Sequence, residues 1–163
     1  MGKRIIFKGE NFSANAMPIK DPTWYLNYDE SRMEGNTTIS GTNTFFMKVT
    51  NIASLGLTDK EVQYVKLYAA TAGTINICKV SASGTSSILT TESHAVEEGI
   101  NIIHLSNPIT LSSTISIGFA GGGIVSMYNY QGVDPIGWEI SRVGTDTEYP
   151  NIYFPIDFGY IDI

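Results

Sequence analysis

From Thr44 onward, apolar and polar residues alternate in short runs, and clusters of Gly, Pro, Asn, Ser and Thr separate the runs. A period of two marks strands with one buried face, because successive side chains on a pleated backbone point to opposite sides. Phe45, Met47 and Val49 alternate with Phe46, Lys48 and Thr50; Ile115, Ile117 and Phe119 alternate with Ser116, Gly118 and Ala120. No segment keeps the helical period of about 3.6. The one short helical candidate is 59–65, with Thr58 or Asp59 as its cap.

The remaining segments follow the same logic. Val65, Leu67 and Ala69 alternate with Tyr64, Lys66 and Tyr68, and Ile75 and Ile77 with Asn76 and Cys78. The short Thr71-Ala72-Gly73 connection between these two runs predicts a β-hairpin. Further strands are expected at 4–8, 23–28, 88–91, 100–105, 124–130, 138–142 and 152–158, with 159–163 continuing the last. Pro108, which has no N–H to give a ladder, is expected to end the strand before it. Residues 10–42, with Pro18, Pro22, Gly35 and Gly41, read as an irregular N-terminal part of a single domain over 1–163.

Composition agrees. Charged residues make up 16% of the chain, against about 25% in an ordinary soluble domain. The deficit is filled by Ser, Thr, Asn and Gly, while Ile, Tyr and Phe supply strand formers. A helical bundle, a coiled coil and a disordered tail are excluded. About ten short strands at close spacing predict an all-β fold, an antiparallel β-sandwich of jelly-roll-like topology, with a closed barrel as the alternative.

The block from Val65 to Gly123 contains the runs VKLYAATAGTINICKV and HAVEEGINIIHLSNPITLSSTISIGFAGGG. It resembles accessory β-sandwich modules of bacterial surface and phage tail-fibre proteins in its hairpin cadence, its V–x–x–G–x–N–x–I return and its I–x–I–G–F strand. The resemblance covers little more than a third of the chain. It implies a jelly-roll-like module of a kind that binds glycans beside a hydrolase or on a fibre, and it assigns no functional residue.

Charge narrows the partners. The net charge of −6 and pI near 4.8 repel nucleic acid, and Lys3, Arg4 and Lys8 are too few to reverse that locally. The apolar runs are too short to span a bilayer, and the N-terminus is no secretory signal. The expected location is extracellular, at a cell surface or on a virion. Cys78 is the single cysteine, so no intrachain disulfide can form.

No nucleophile elbow and no phosphate loop is present, and Gly121-Gly122-Gly123 lacks the Lys of a phosphate cradle. His94 is placed in a polar turn and His104 on a strand, as structural residues; the chain is read as non-enzymatic. The aromatic inventory is more suggestive. Tyr128, Tyr130 and Trp138 flank a loop with Asn129, Gln131, Asp134 and Arg142, so rings for sugar C–H faces stand beside partners for hydroxyls. These seven residues form the expected glycan site. Asp29 and Glu30 near one end, with Asp157 and Asp162 near the other, are the oxygen donors expected to hold a structural calcium ion if the terminal strands are neighbours. No other cofactor is required. The expected function is a binding module for a glycan or cell-surface ligand. The alternative is a self-associating subunit of a tail fibre or surface appendage, whose low-charge surface suits packing against identical copies.

Overall fold

The structure, a computed structural model, describes residues 10–12, 20–129 and 135–161. The elements are β1 (Glu10–Phe12), β2 (Thr23–Trp24), β3 (Thr37–Thr38), β4 (Phe45–Met47), α1 (Val49–Ser54), β5 (Glu61–Ala69) and β6 (Gly73–Ser81). They continue with β7 (Ser87–Val96), β8 (Gly99–Thr110), β9 (Ile115–Ala120), β10 (Ser126–Asn129), β11 (Trp138–Arg142), β12 (Glu148–Phe154) and β13 (Asp157–Tyr160). They form a five-stranded sheet in the order β1-β8-β5-β13-β2 and an eight-stranded sheet in the order β3-β10-β12-β11-β4-β9-β6-β7. The two sheets pack as an all-β sandwich. Pairing is antiparallel except between β1 and β8.

Two of the expected strands, 138–142 and 115–120, stand where the alternation places them. The expected 65–78 hairpin does not form. β5 pairs with β8 and β13 in one sheet, while β6 pairs with β7 and β9 in the other. The 70–72 connection is therefore a corner that crosses the sandwich, held by Ala70 N donating to Ile124 O at 2.7 Å. Val65 and Leu67 then face Ile75 and Ile77 across the core, all of them buried.

Three other expectations are corrected. Pro108 does not end its strand, because β8 runs on to Thr110. The proline lies where the β5–β8 register shifts between Val62 and Tyr64, an irregularity that asks no N–H of it. The helix is at 49–54, too short for its period to show in sequence, and 61–69 is strand. The expected 152–158 strand is two, broken at Pro155 so that β12 and β13 belong to different sheets.

The core lies between the sheets. Trp138 from β11 stacks on Phe158 from β13 with ring centroids 5.7 Å apart, and packs on Phe154 and Phe119 at 5.2 and 6.0 Å. One tryptophan thus joins the two sheets. The outer face of the eight-stranded sheet holds a smaller cluster of Phe46, Cys78 and Val80. The loops that follow β6 and β11 meet through Ser86, whose N–H donates to the Asp146 carboxylate at 3.1 Å and whose hydroxyl accepts from Gly144 N at 2.9 Å.

At the β7 edge a carboxylate latches one sheet to the other. Glu92 pairs with core-facing Ile77, so its side chain points inward toward β8. Its two oxygens accept from Ser106 N and Asn107 N, each at 2.9 Å, and His94 Nε2 lies 3.1 Å from Oε1. His94 is thereby a buried strand residue rather than a turn residue. Replacing Glu92 by Ala removes the acceptor of two amides, and a loss of about 2 kcal/mol is expected in urea denaturation. Glu92→Gln, which keeps one oxygen, should lose about half of that.

Candidate functional site

The site begins at β3, two residues long, which could not hold a place by its own ladder. Asn36 N donates to Met127 O at 3.0 Å, and Ile39 N to Val125 O at 3.0 Å. The Asn36 side chain copies a strand residue: its Nδ2 donates to Asn129 O and its Oδ1 accepts from Asn129 N, both at 2.8 Å. Gly35, at φ +68°, brings its Cα against the Met127 carbonyl so closely that any side chain would collide with it. The Tyr128 hydroxyl donates to Arg32 O, tying the preceding 3-10 turn to the same strand.

Under this strap lies a cavity of about 280 Å³. Its floor is apolar: Phe45, Met127, Ile140 and Ile152, with Tyr149 set edge-on to Phe45 at 5.5 Å. Its rim is polar, made by Thr37, Thr38, Ser40, Asn43 and Asn129. Among the described residues nothing hydrogen-bonds the side chains of Ser40, Asn43 or Asn129, nor the Tyr149 hydroxyl. Unpaired donors and acceptors around an apolar, ring-bearing floor are the general make-up of a small-ligand site.

Only part of the sequence-derived site meets here. Asn129 is on the rim. Tyr128 is on the other face of β10, with its hydroxyl already engaged. Trp138 is fully buried, and its Nε1 donates to Ile156 O at 2.9 Å, so its ring has no face for a sugar. Arg142 ends β11 in the turn closed by Arg142 N to Thr147 O and lies outside the cavity lining. Tyr130, Gln131 and Asp134 lie outside the described residues. Sequence reasoning missed Thr37, Thr38, Ser40 and Asn43, which belong to the stretch read as irregular or its border. Their only signal there is the density of Asn and Thr.

The terminal strands are indeed neighbours, with Gly159 opposite Trp24. The carboxylates they bring together already have partners. Asp157, buried, accepts from Leu26 N and Phe158 N on Oδ1 at 2.9 and 2.8 Å and from Tyr28 N on Oδ2 at 3.1 Å. Burial nevertheless raises its pKa above the ordinary value, the three amides and Lys66 only partly offsetting that. Asp29 caps its own turn through Ser31, whose hydroxyl and N–H hold its carboxyl below the usual range. Glu30 Oε1 lies 3.5 Å from Lys66 Nζ, which sits 4.4 Å over the Trp24 ring. Asp162 lies outside the described residues. Among the described residues no three acidic, His or Cys side chains converge.

Nor does a nucleophile assemble among them. The Cys78 thiol is on the outer face with Thr91 Oγ1 at 3.6 Å, and burial pushes its pKa up. His94 points to the opposite, inner face, and His104 stacks on Tyr64 in the other sheet at 4.8 Å. Among the described residues no helix is long and apolar enough to cross a membrane. No protein-family model matches the chain, and comparison with curated proteins and with solved structures returns no match.

Proposed function

We propose that the chain is a non-catalytic binding module that takes a glycan or similar surface ligand in the cavity under β3. The observation that carries this reading is the junction of an apolar floor bearing Tyr149 with a rim of Ser40, Asn43 and Asn129 side chains that have no hydrogen-bond partner among the described residues. A sugar ring offers C–H faces to the first and hydroxyls to the second. The resemblance of the Val65–Gly123 block to surface and tail-fibre modules, read from the sequence, supports the same reading and a location outside the cell or on a virion.

The test is an array of glycans probed with the wild-type chain, Asn43→Ala and Asn129→Ala, with and without EDTA. Asn129 holds β3 through its backbone, so its side chain can be removed without loosening the strap. Each variant is expected to weaken the array hits about tenfold, the worth of a hydrogen bond or two. Hits of unchanged strength in both variants contradict the site. Loss of binding in EDTA would assign a structural calcium ion, and retention would leave the cavity sufficient.

A second reading, a self-assembling subunit, is favoured by β7, which among the described residues ends the order of the eight-stranded sheet. Ile88 and Leu89 on β7 are 45% and 50% exposed, and Ser87–Thr91 carries no charge. Against it, Thr90 pairs with Lys79 and Ile88 with Val80, so Leu89 is the extra residue of a bulge. Such bulges blunt an edge against strand addition. The binding module is therefore the reading we adopt.

A further inference from the structure

A second cavity, of about 250 Å³, adjoins the first along β3 and is lined by Glu34, Gly35, Asn36, Ala70 and Ser126, with Thr37 and Thr38 common to both. β3 is the edge strand of its sheet, and the register assigns the cavities to its two sides: Thr37 pairs with Met127, of the first cavity, and Thr38 with Ser126, of the second. Each volume alone falls short of the roughly 300–1,000 Å³ of a cleft for a drug-sized ligand, and the two together reach it. We infer that the ligand is an uncharged chain of at least two sugar units that straddles β3, one unit in each cavity. This rests on the binding-module reading above and adds the ligand's length and charge.

Both linings mix apolar and polar surface, as subsites for sugar units do. The first offers the apolar floor on which a ring face packs. The second is smaller and evenly mixed, with apolar and polar surface in about equal share: the Thr38 and Ser126 side chains stand beside Asn36, Ala70 and the exposed Glu34. Glu34 accepts hydrogen bonds from hydroxyl or amide donors and repels a uronic, sialic or sulfated unit, as does the net charge of −6.

The experiment uses the full chain on an array that carries neutral and acidic sugars, each as chains of one to six units, with Ala70→Trp as the partner variant. Ala70 is exposed in the corner between β5 and β6, so a large side chain there fills the second cavity without entering the core. Neutral hits should strengthen about tenfold from one unit to two, and Ala70→Trp should erase that gain while leaving single-unit binding unchanged. Acidic chains should stay blank. Equal affinity for one unit and for longer chains, insensitive to Ala70→Trp, overturns the two-subsite inference and leaves the binding-module reading standing. Preference for acidic chains overturns the inference in the same way. A blank array overturns both.

Discussion

Trp138→Ala is expected to lower stability by about 3–5 kcal/mol, a large share of the roughly 5–15 kcal/mol that holds a domain together. Three terms add up in one residue. The ring is fully buried between the sheets, it contacts Phe158 of one sheet and Phe154 and Phe119 of the other, and its Nε1–H satisfies Ile156 O. Thermal unfolding should shift down by roughly 10–15 °C for a chain of this size. Trp138→Phe keeps the stacking and loses the hydrogen bond, so a loss of about 1–2 kcal/mol is expected. It should leave ligand binding unaltered. A ligand-contacting tryptophan would behave in the opposite way, losing binding with little change in stability, so the pair of variants separates the two roles.

Asp157→Ala should cost about 2–4 kcal/mol, because it strips Leu26, Tyr28 and Phe158 of the acceptor for their amides and frees the 25–29 segment from β13. The carboxylate also sets a pH dependence. Burial raises its pKa above the ordinary aspartate value of 3.8, so the folded chain binds this proton more tightly than the unfolded chain. Stability contributed by the group is then greatest below pH 3.8 and falls as pH rises through the window up to the raised value. In urea titrations, the wild-type chain minus Asp157→Asn should therefore become less favourable from acid to neutral pH. A difference that grows with pH would mean that the three amides outweigh desolvation.

The sequence carried the class of fold because alternation depends on burial alone, and β9 and β11 follow it closely. It did not carry which sheet a strand joins. Val65–Ala69 and Ile75–Cys78 have the phase of a hairpin, yet a three-residue connection serves equally for a corner when both apolar rows face one core. Pro108 misled for a related reason: a proline forbids a ladder bond, and β8 makes none there because its partner's register slips. The site was legible in one rim residue, Asn129. Its other parts come from β3, β4, β10, β11 and β12, far apart in the chain, and no local spacing records that they converge. Trp138 was misread because an aromatic beside polar neighbours has the same sequence signature on a core strand as on a binding platform.

The most direct test of the cavity as the binding site is a series of ¹H–¹⁵N correlation spectra of the chain titrated with neutral oligosaccharides. The account predicts shifts confined to the backbone of the two cavities, Thr37, Thr38, Ser40, Asn43, Asn129 and Tyr149 in the first and Glu34, Asn36, Ala70 and Ser126 in the second, and to their immediate neighbours, with the Asn43 and Asn129 side-chain amides among the largest. Shifts centred on the exposed β7 edge at Ile88 and Leu89, or saturation with no change around β3, would contradict it.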